Sequence, residues 1–107
     1  MSHPANTPRP PYYAVIFTSL RTEGDKGYGD MADLMVALAS KQPGFLGLES
    51  AREDGLGITV SYWESLEAIK AWKDHVDHRE AQAKGRSDWY RKYVTRICKV
   101  ERDYSFE

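Results

Sequence analysis

The chain has 107 residues, enough for one domain and too few for a second core. Its net charge of −1 and pI near 6.3 argue against nucleic acid or an anionic membrane surface as partner, since both call for a basic excess. No apolar run reaches the length of a bilayer span. The single cysteine, Cys98, excludes an intrachain disulfide and any cysteine-based metal site, and fits a reducing cytoplasm.

Residues 1–11 carry Pro4, Pro8, Pro10 and Pro11 and no apolar core. They read as a flexible arm, not a signal peptide, leaving 12–107 as the domain. Tyr12 to Leu20 is rich in β-branched and aromatic residues and reads as a strand. Both of its alternations are apolar: Tyr13, Val15 and Phe17 on one side, Tyr12, Ala14 and Ile16 on the other. Such a strand is expected to be buried on both faces. After a polar loop, Tyr28, Met31, Ala32, Met35, Leu38 and Ala39 recur at helical spacing within 28–41. Gln42-Pro43-Gly44 ends that helix.

Phe45 to Glu53 reads as a second strand, Asp54 to Gly57 as a hairpin turn, and Ile58 to Glu64 as a third strand. Ser65 is the expected N-cap of a helix bearing Leu66, Ile69, Trp72 and Val76 on one face. Lys70 with Asp74, and Lys73 with Asp77, are spaced as helical charge pairs. Two readings stand open beyond this point. Asp77-His78-Arg79-Glu80 has the form of a capping box, which would break the helix at 74–77. An unbroken helix would instead turn His75, His78 and Gln82 away from the apolar stripe. Tyr93 to Tyr104 reads as the last strand.

The order is β-α-β-β-α-β, an α+β ferredoxin-like arrangement with an antiparallel sheet. Two helices cover one sheet face. The other is apolar in the first strand, and a second copy of the chain is the simplest cover, so a homodimer is expected. The same order occurs in RNA-recognition domains, but the basic aromatic sheet motif they need is missing.

Several segments carry a family resemblance. Gln42-Pro43-Gly44-Phe45-Leu46-Gly47, the stretch from Tyr62-Trp63-Glu64-Ser65 to Trp72, His75 to Gln82, Trp89-Tyr90, and Val100 to Tyr104 together resemble the antibiotic biosynthesis monooxygenase family. The resemblance implies a dimeric α+β barrel, each subunit holding a cavity between sheet and helices. Relatives include cofactor-free oxygenases of polyphenols and quinols, haem-degrading monooxygenases, isomerases, and members of no assigned reaction. Haem-degrading relatives place a ligand histidine ten residues after the helical Trp. Here that position is Gln82, and an amide is a poor iron ligand. The asparagine of their first strand is also missing, so no haem cofactor is expected.

His78 and His75 are the candidate acid–base residues, because imidazole titrates near neutral pH. The plainer reading of each is a surface or structural histidine, and as a metal site the pair lacks a third ligand. Trp72, Trp89, Tyr93, Tyr13, Phe17 and Tyr62 are candidates for lining an aromatic pocket, with core packing as the plainer role. Tyr90 poses the same choice. Arg86 could hold an oxyanion, or stand as an exposed helix-end charge. Ser19, Ser50 and Ser61 lack a nucleophile-elbow setting. The expected function is a cofactor-independent monooxygenase of a small aromatic or quinol-like molecule. The alternative is a binding or protective protein that holds such a ligand unchanged.

Overall fold

The structure, a computed structural model, describes residues 4–25, 27–83 and 89–106, and for 78–83 the backbone alone. The elements are β1 (Tyr12–Arg21), α1 (Tyr28–Ala39), β2 (Phe45–Glu53), β3 (Leu56–Trp63), α2 (Leu66–Ala83) and β4 (Tyr90–Val100). The four strands form one antiparallel sheet in the order β2-β3-β1-β4. This is the ferredoxin-like arrangement expected from the sequence.

Boundaries differ from the sequence reading for local reasons. The hairpin turn is only Asp54-Gly55, with φ of 51° and 84°, the left-handed pair a tight hairpin requires. β3 therefore starts at Leu56, paired with Leu20. β4 begins and ends earlier than expected because its length is set by β1. Tyr90 pairs with Arg21 and Val100 with Tyr12, beyond which β1 offers no partner.

α2 runs unbroken from Leu66 to Ala83, which decides between the two readings left open. No Gly or Pro interrupts it, and Asp77 accepts a 2.8 Å bond from Lys73 one turn earlier. Ser65 Oγ accepts the Ala68 N–H at 3.1 Å, the expected cap. Gly44 sits at φ 87°, where a Cβ would lie 2.7 Å from that of Ala68. Only glycine lets the entrance of β2 lie so close to the first turn of α2.

The core is small and aromatic. Trp63 is fully buried, with Tyr12, Ala14, Ala39, Ile69 and Trp89 also buried. Among the described residues, no helix is long and apolar enough to cross a membrane.

Gly44→Ala should lower stability by about 3 kcal/mol, combining left-handed strain with overpacking. Ser65→Ala should lower it by about 1 kcal/mol. Urea denaturation checks both, and the larger loss belongs to Gly44.

Candidate functional site

A cavity of about 300 Å³ lies between the sheet and the two helices. Its floor comes from all four strands: Val15 and Phe17 on β1, Leu48 on β2, Thr59 and Ser61 on β3, and Tyr93, Thr95 and Ile97 on β4. Met31 and Met35 of α1 form one wall, and Ile69, Trp72 and Val76 of α2 the other. Tyr28, Trp89 and Tyr90 also line it. A cavity of this volume, lined mainly by aromatic and aliphatic side chains, is of the kind that holds a small molecule.

Two bulges aim these side chains. Tyr90 and Tyr93 are three apart, so a regular strand would send them to opposite faces. The β1–β4 register shifts between Leu20 and Arg21, which skips Arg91 and returns Tyr90 to the cavity side. There Tyr90, Tyr93 and Phe17 form a cluster with ring centroids 5.2–5.6 Å apart. A second shift, between Phe45 and Gly47, pairs Phe45 with Trp63 while Gly47 faces the other way beside Tyr62.

Arg21 braces this end of the cavity without lining it. Its guanidinium lies 3.6 Å from the Tyr28 ring centroid, and its Nε donates to the Trp89 carbonyl at 2.9 Å. It also donates to the carbonyls of Gly24 and Asp25, fastening the loop before α1. Arg52 donates to Ser19 Oγ at 3.0 Å and reaches the Tyr28 hydroxyl at 3.5 Å.

The opposite wall is held by a run of rings. Phe45 meets Trp63 edge-on at 5.4 Å, Trp63 stacks on Trp72 at 6.1 Å, and Trp72 stacks on His75 at 5.5 Å. His75 Nε2 is buried and has no hydrogen-bond partner among the described residues. The imidazole does not itself line the cavity.

Of the residues singled out in the sequence, Phe17, Trp72, Trp89 and Tyr93 come together around the cavity. Tyr13 shares the floor's face but lies beyond it, paired with Trp63 and Lys99. Tyr62 is on the opposite face, because it neighbours Trp63 in the strand. The His78 side chain, the Gln82 side chain and Arg86 lie outside the described residues. Sequence reasoning did not assign Met31, Met35, Thr59, Ser61 or Thr95 to a site. The two methionines sat on the α1 stripe, which reads as core, and the hydroxyls alternate on strands without any chemical motif. Among the described residues, no group of three or more His, Cys, Asp or Glu could hold a metal ion.

The profile of the antibiotic biosynthesis monooxygenase family matches residues 11–84. The chain belongs to this family. It is 57% identical over 104 residues to YqjZ, an uncharacterized protein of Bacillus subtilis, covering 96% of this chain and 91% of that one. Solved structures share the fold at low identity. PA3566 of Pseudomonas aeruginosa has a TM-score of 0.66 at 14% identity, covering 91% of this chain and 99% of its own. SnoaB of Streptomyces nogalater, described as a cofactor-independent oxygenase, has a TM-score of 0.64 at 12% identity, covering 90% and 97%.

In this antibiotic biosynthesis monooxygenase domain the helix-free face is closed at one end by residues 4–11. The Ala5 N–H donates to Glu49 at 2.9 Å, and Thr7 Oγ1 donates to the Tyr12 hydroxyl at 2.9 Å. Tyr12 in turn donates to Asp103 at 2.6 Å, and Tyr62 donates to the other oxygen of Glu49. The segment crosses β2 at Gly47, where a Cβ would come 3.0 Å from that of Ala5. Burial, and then the bond to Glu49, push the Tyr62 phenol well above its usual range. Burial and the bond to Asp103 raise Tyr12.

Both tyrosines are held neutral in the fold and ionise more readily when unfolded. Their contribution is therefore complete below pH about 10, the unfolded value, and is lost as pH rises toward the folded values. Stability should fall above pH 10, and Tyr62→Phe should flatten that alkaline limb while lowering stability at pH 8. Urea titrations at pH 8 and pH 10.5 on both proteins measure the difference.

Proposed function

We propose that the chain is a cofactor-independent monooxygenase of a small aromatic or quinol-like substrate bound in the aromatic cavity. The observation that carries this reading is the cavity itself, walled by Phe17, Trp72, Trp89, Tyr90 and Tyr93 in a member of an oxygenase family. SnoaB's description as a cofactor-independent oxygenase supports the same reaction type.

The chemistry begins with removal of a phenolic or enolic proton from the bound substrate. The resulting carbanion-like anion is electron-rich enough to reduce dioxygen. One oxygen atom becomes a carbonyl in place of one ring-carbon hydrogen, that hydrogen and the hydroxyl proton leave with the other oxygen as water, and the substrate supplies all four electrons. The chain's part is to hold the substrate flat, exclude water and take the first proton. His78 is the proposed base, with His75 one turn earlier on α2 as the second candidate. In support, His75 has a buried, unpartnered Nε2 among the described residues and stacks on Trp72, which lines the cavity.

A second reading is favoured by two observations: no histidine is among the described lining residues, and the lining pair Lys73 and Asp77 are bonded to each other. A ligand would then be held without turnover. In oxygen-electrode assays with a quinol substrate, uptake should survive chelators and fall at least tenfold in His78→Ala, with a smaller loss in His75→Ala. Wild-type uptake by both variants would remove the histidines from the mechanism. Substrate recovered unchanged after long incubation in air would favour the second reading.

The working unit is proposed to be a cytoplasmic homodimer joined through the helix-free face. Leu20, Leu56 and Ile58 are exposed there, beyond the end covered by residues 4–11. Ile58→Asp should shift the protein from dimer to monomer in analytical ultracentrifugation and leave its circular dichroism unchanged. A wild-type monomer at micromolar concentration would refute this interface.

A further inference from the structure

The cavity floor carries a feature that its aromatic walls do not explain. Thr59 of β3 and Thr95 of β4 are both paired with Phe17 of β1, one on each side. The three side chains therefore stand in one transverse row on the same face, and all three line the cavity. Two strand spacings separate the threonines by about 10 Å. Neither hydroxyl bonds another side chain or backbone group among the described residues; Thr59 is half-buried and Thr95 exposed, so a ligand covering them would take the place of solvent. In the next row, Ser61 Oγ accepts the Trp63 indole N–H at 2.9 Å, which leaves the serine's own proton to donate. The charged lining residues, Lys73 and Asp77, are bound to each other at 2.8 Å, the lysine exposed and the aspartate half-buried. What faces a ligand from the floor is thus an aromatic ring flanked by neutral hydroxyls.

We propose that Thr59 and Thr95 determine specificity, clasping a flat, uncharged ligand that lies over Phe17 by oxygen atoms at its two ends. This rests on reading the cavity as the ligand site and goes further by saying what the ligand must carry. An ionised ligand would find no counter-charge on this floor, and a hydrocarbon would leave both hydroxyls unpaired against it. An oxygen at only one end would engage one threonine and strand the other.

The test uses two probes of the same outline. The first is 2,3-dimethyl-1,4-naphthoquinone, whose methyl groups block addition of the Cys98 thiol and whose two carbonyl oxygens point outward from opposite sides of one ring. The second is 2,3-dimethylnaphthalene, which has no oxygen. Affinities are read by quenching of tryptophan fluorescence in wild type, Thr59→Val and Thr95→Val, with thermal melts as the folding control. Valine keeps the threonine shape and suits a strand. The quinone should bind wild type more tightly than the hydrocarbon. Each variant should weaken the quinone about fivefold, the worth of one hydrogen bond, and leave the hydrocarbon unchanged. Unaltered quinone binding in both variants, with the hydrocarbon also bound, would overturn the clasp and leave the cavity reading standing. Failure of both probes to bind wild type would overturn the cavity reading and the clasp with it.

Discussion

Trp63 is the contact on which the rest of the molecule turns. It ends β3, is fully buried, and meets Phe45 from β2 on one side and Trp72 from α2 on the other. Its indole N–H is satisfied by Ser61 two residues back, so burying the ring leaves no polar group stranded. The stack fixes α2 over the sheet. Because the wedge sits at the β2–α2 end, the space between the helices and the middle of the sheet stays open as the cavity.

The antiparallel register then decides which chemistry meets that space. Each strand shows alternate residues to its two faces, so Phe17 and Trp63 belong to the cavity side while Tyr12 and Tyr62 belong to the other. Two bulges override the simple alternation, and each has a consequence. The one at Arg91 adds Tyr90 to the aromatic cluster, and the one at Leu46 lets Phe45 join the Trp63 stack while Gly47 clears the path of the N-terminal segment. On the helix-free face, two tyrosine–carboxylate bonds tie β1, β2, β3 and the residues after β4 into one network beneath that segment. The sheet is thus polar-linked at one end of this face and bare and apolar toward Leu20, Leu56 and Ile58.

Family membership and structural likeness converge on the fold, and a fold of this kind hosts many reactions. The features that speak to chemistry are local to this chain. They are an aromatic cavity with two adaptable methionines on one wall, a hydroxyl row on its floor, and an imidazole whose buried nitrogen stacks against a wall residue. Each is a property of side chains placed by register and not of topology. Methionines at Met31 and Met35 suit a wall that reshapes around a ligand, since the thioether chain is unbranched and soft.

The sequence by itself determined the element order, the cap at Ser65, a hairpin turn within 54–57, the charge pairs on α2 and, through motifs spread along the chain, the family. The structural features among these depend on neighbours a few residues apart, whose physics is local. It also carried the aromatic character of the cavity through Phe17, Trp72, Trp89 and Tyr93. Tertiary structure alone decided which tyrosines share a face, that residues 4–11 close one end of the sheet, and that Thr59 and Thr95 flank Phe17 from strands 36 residues apart in the chain. Bulges and strand pairing are set by contacts distant in sequence, and a shift of one residue moves a side chain from one face to the other.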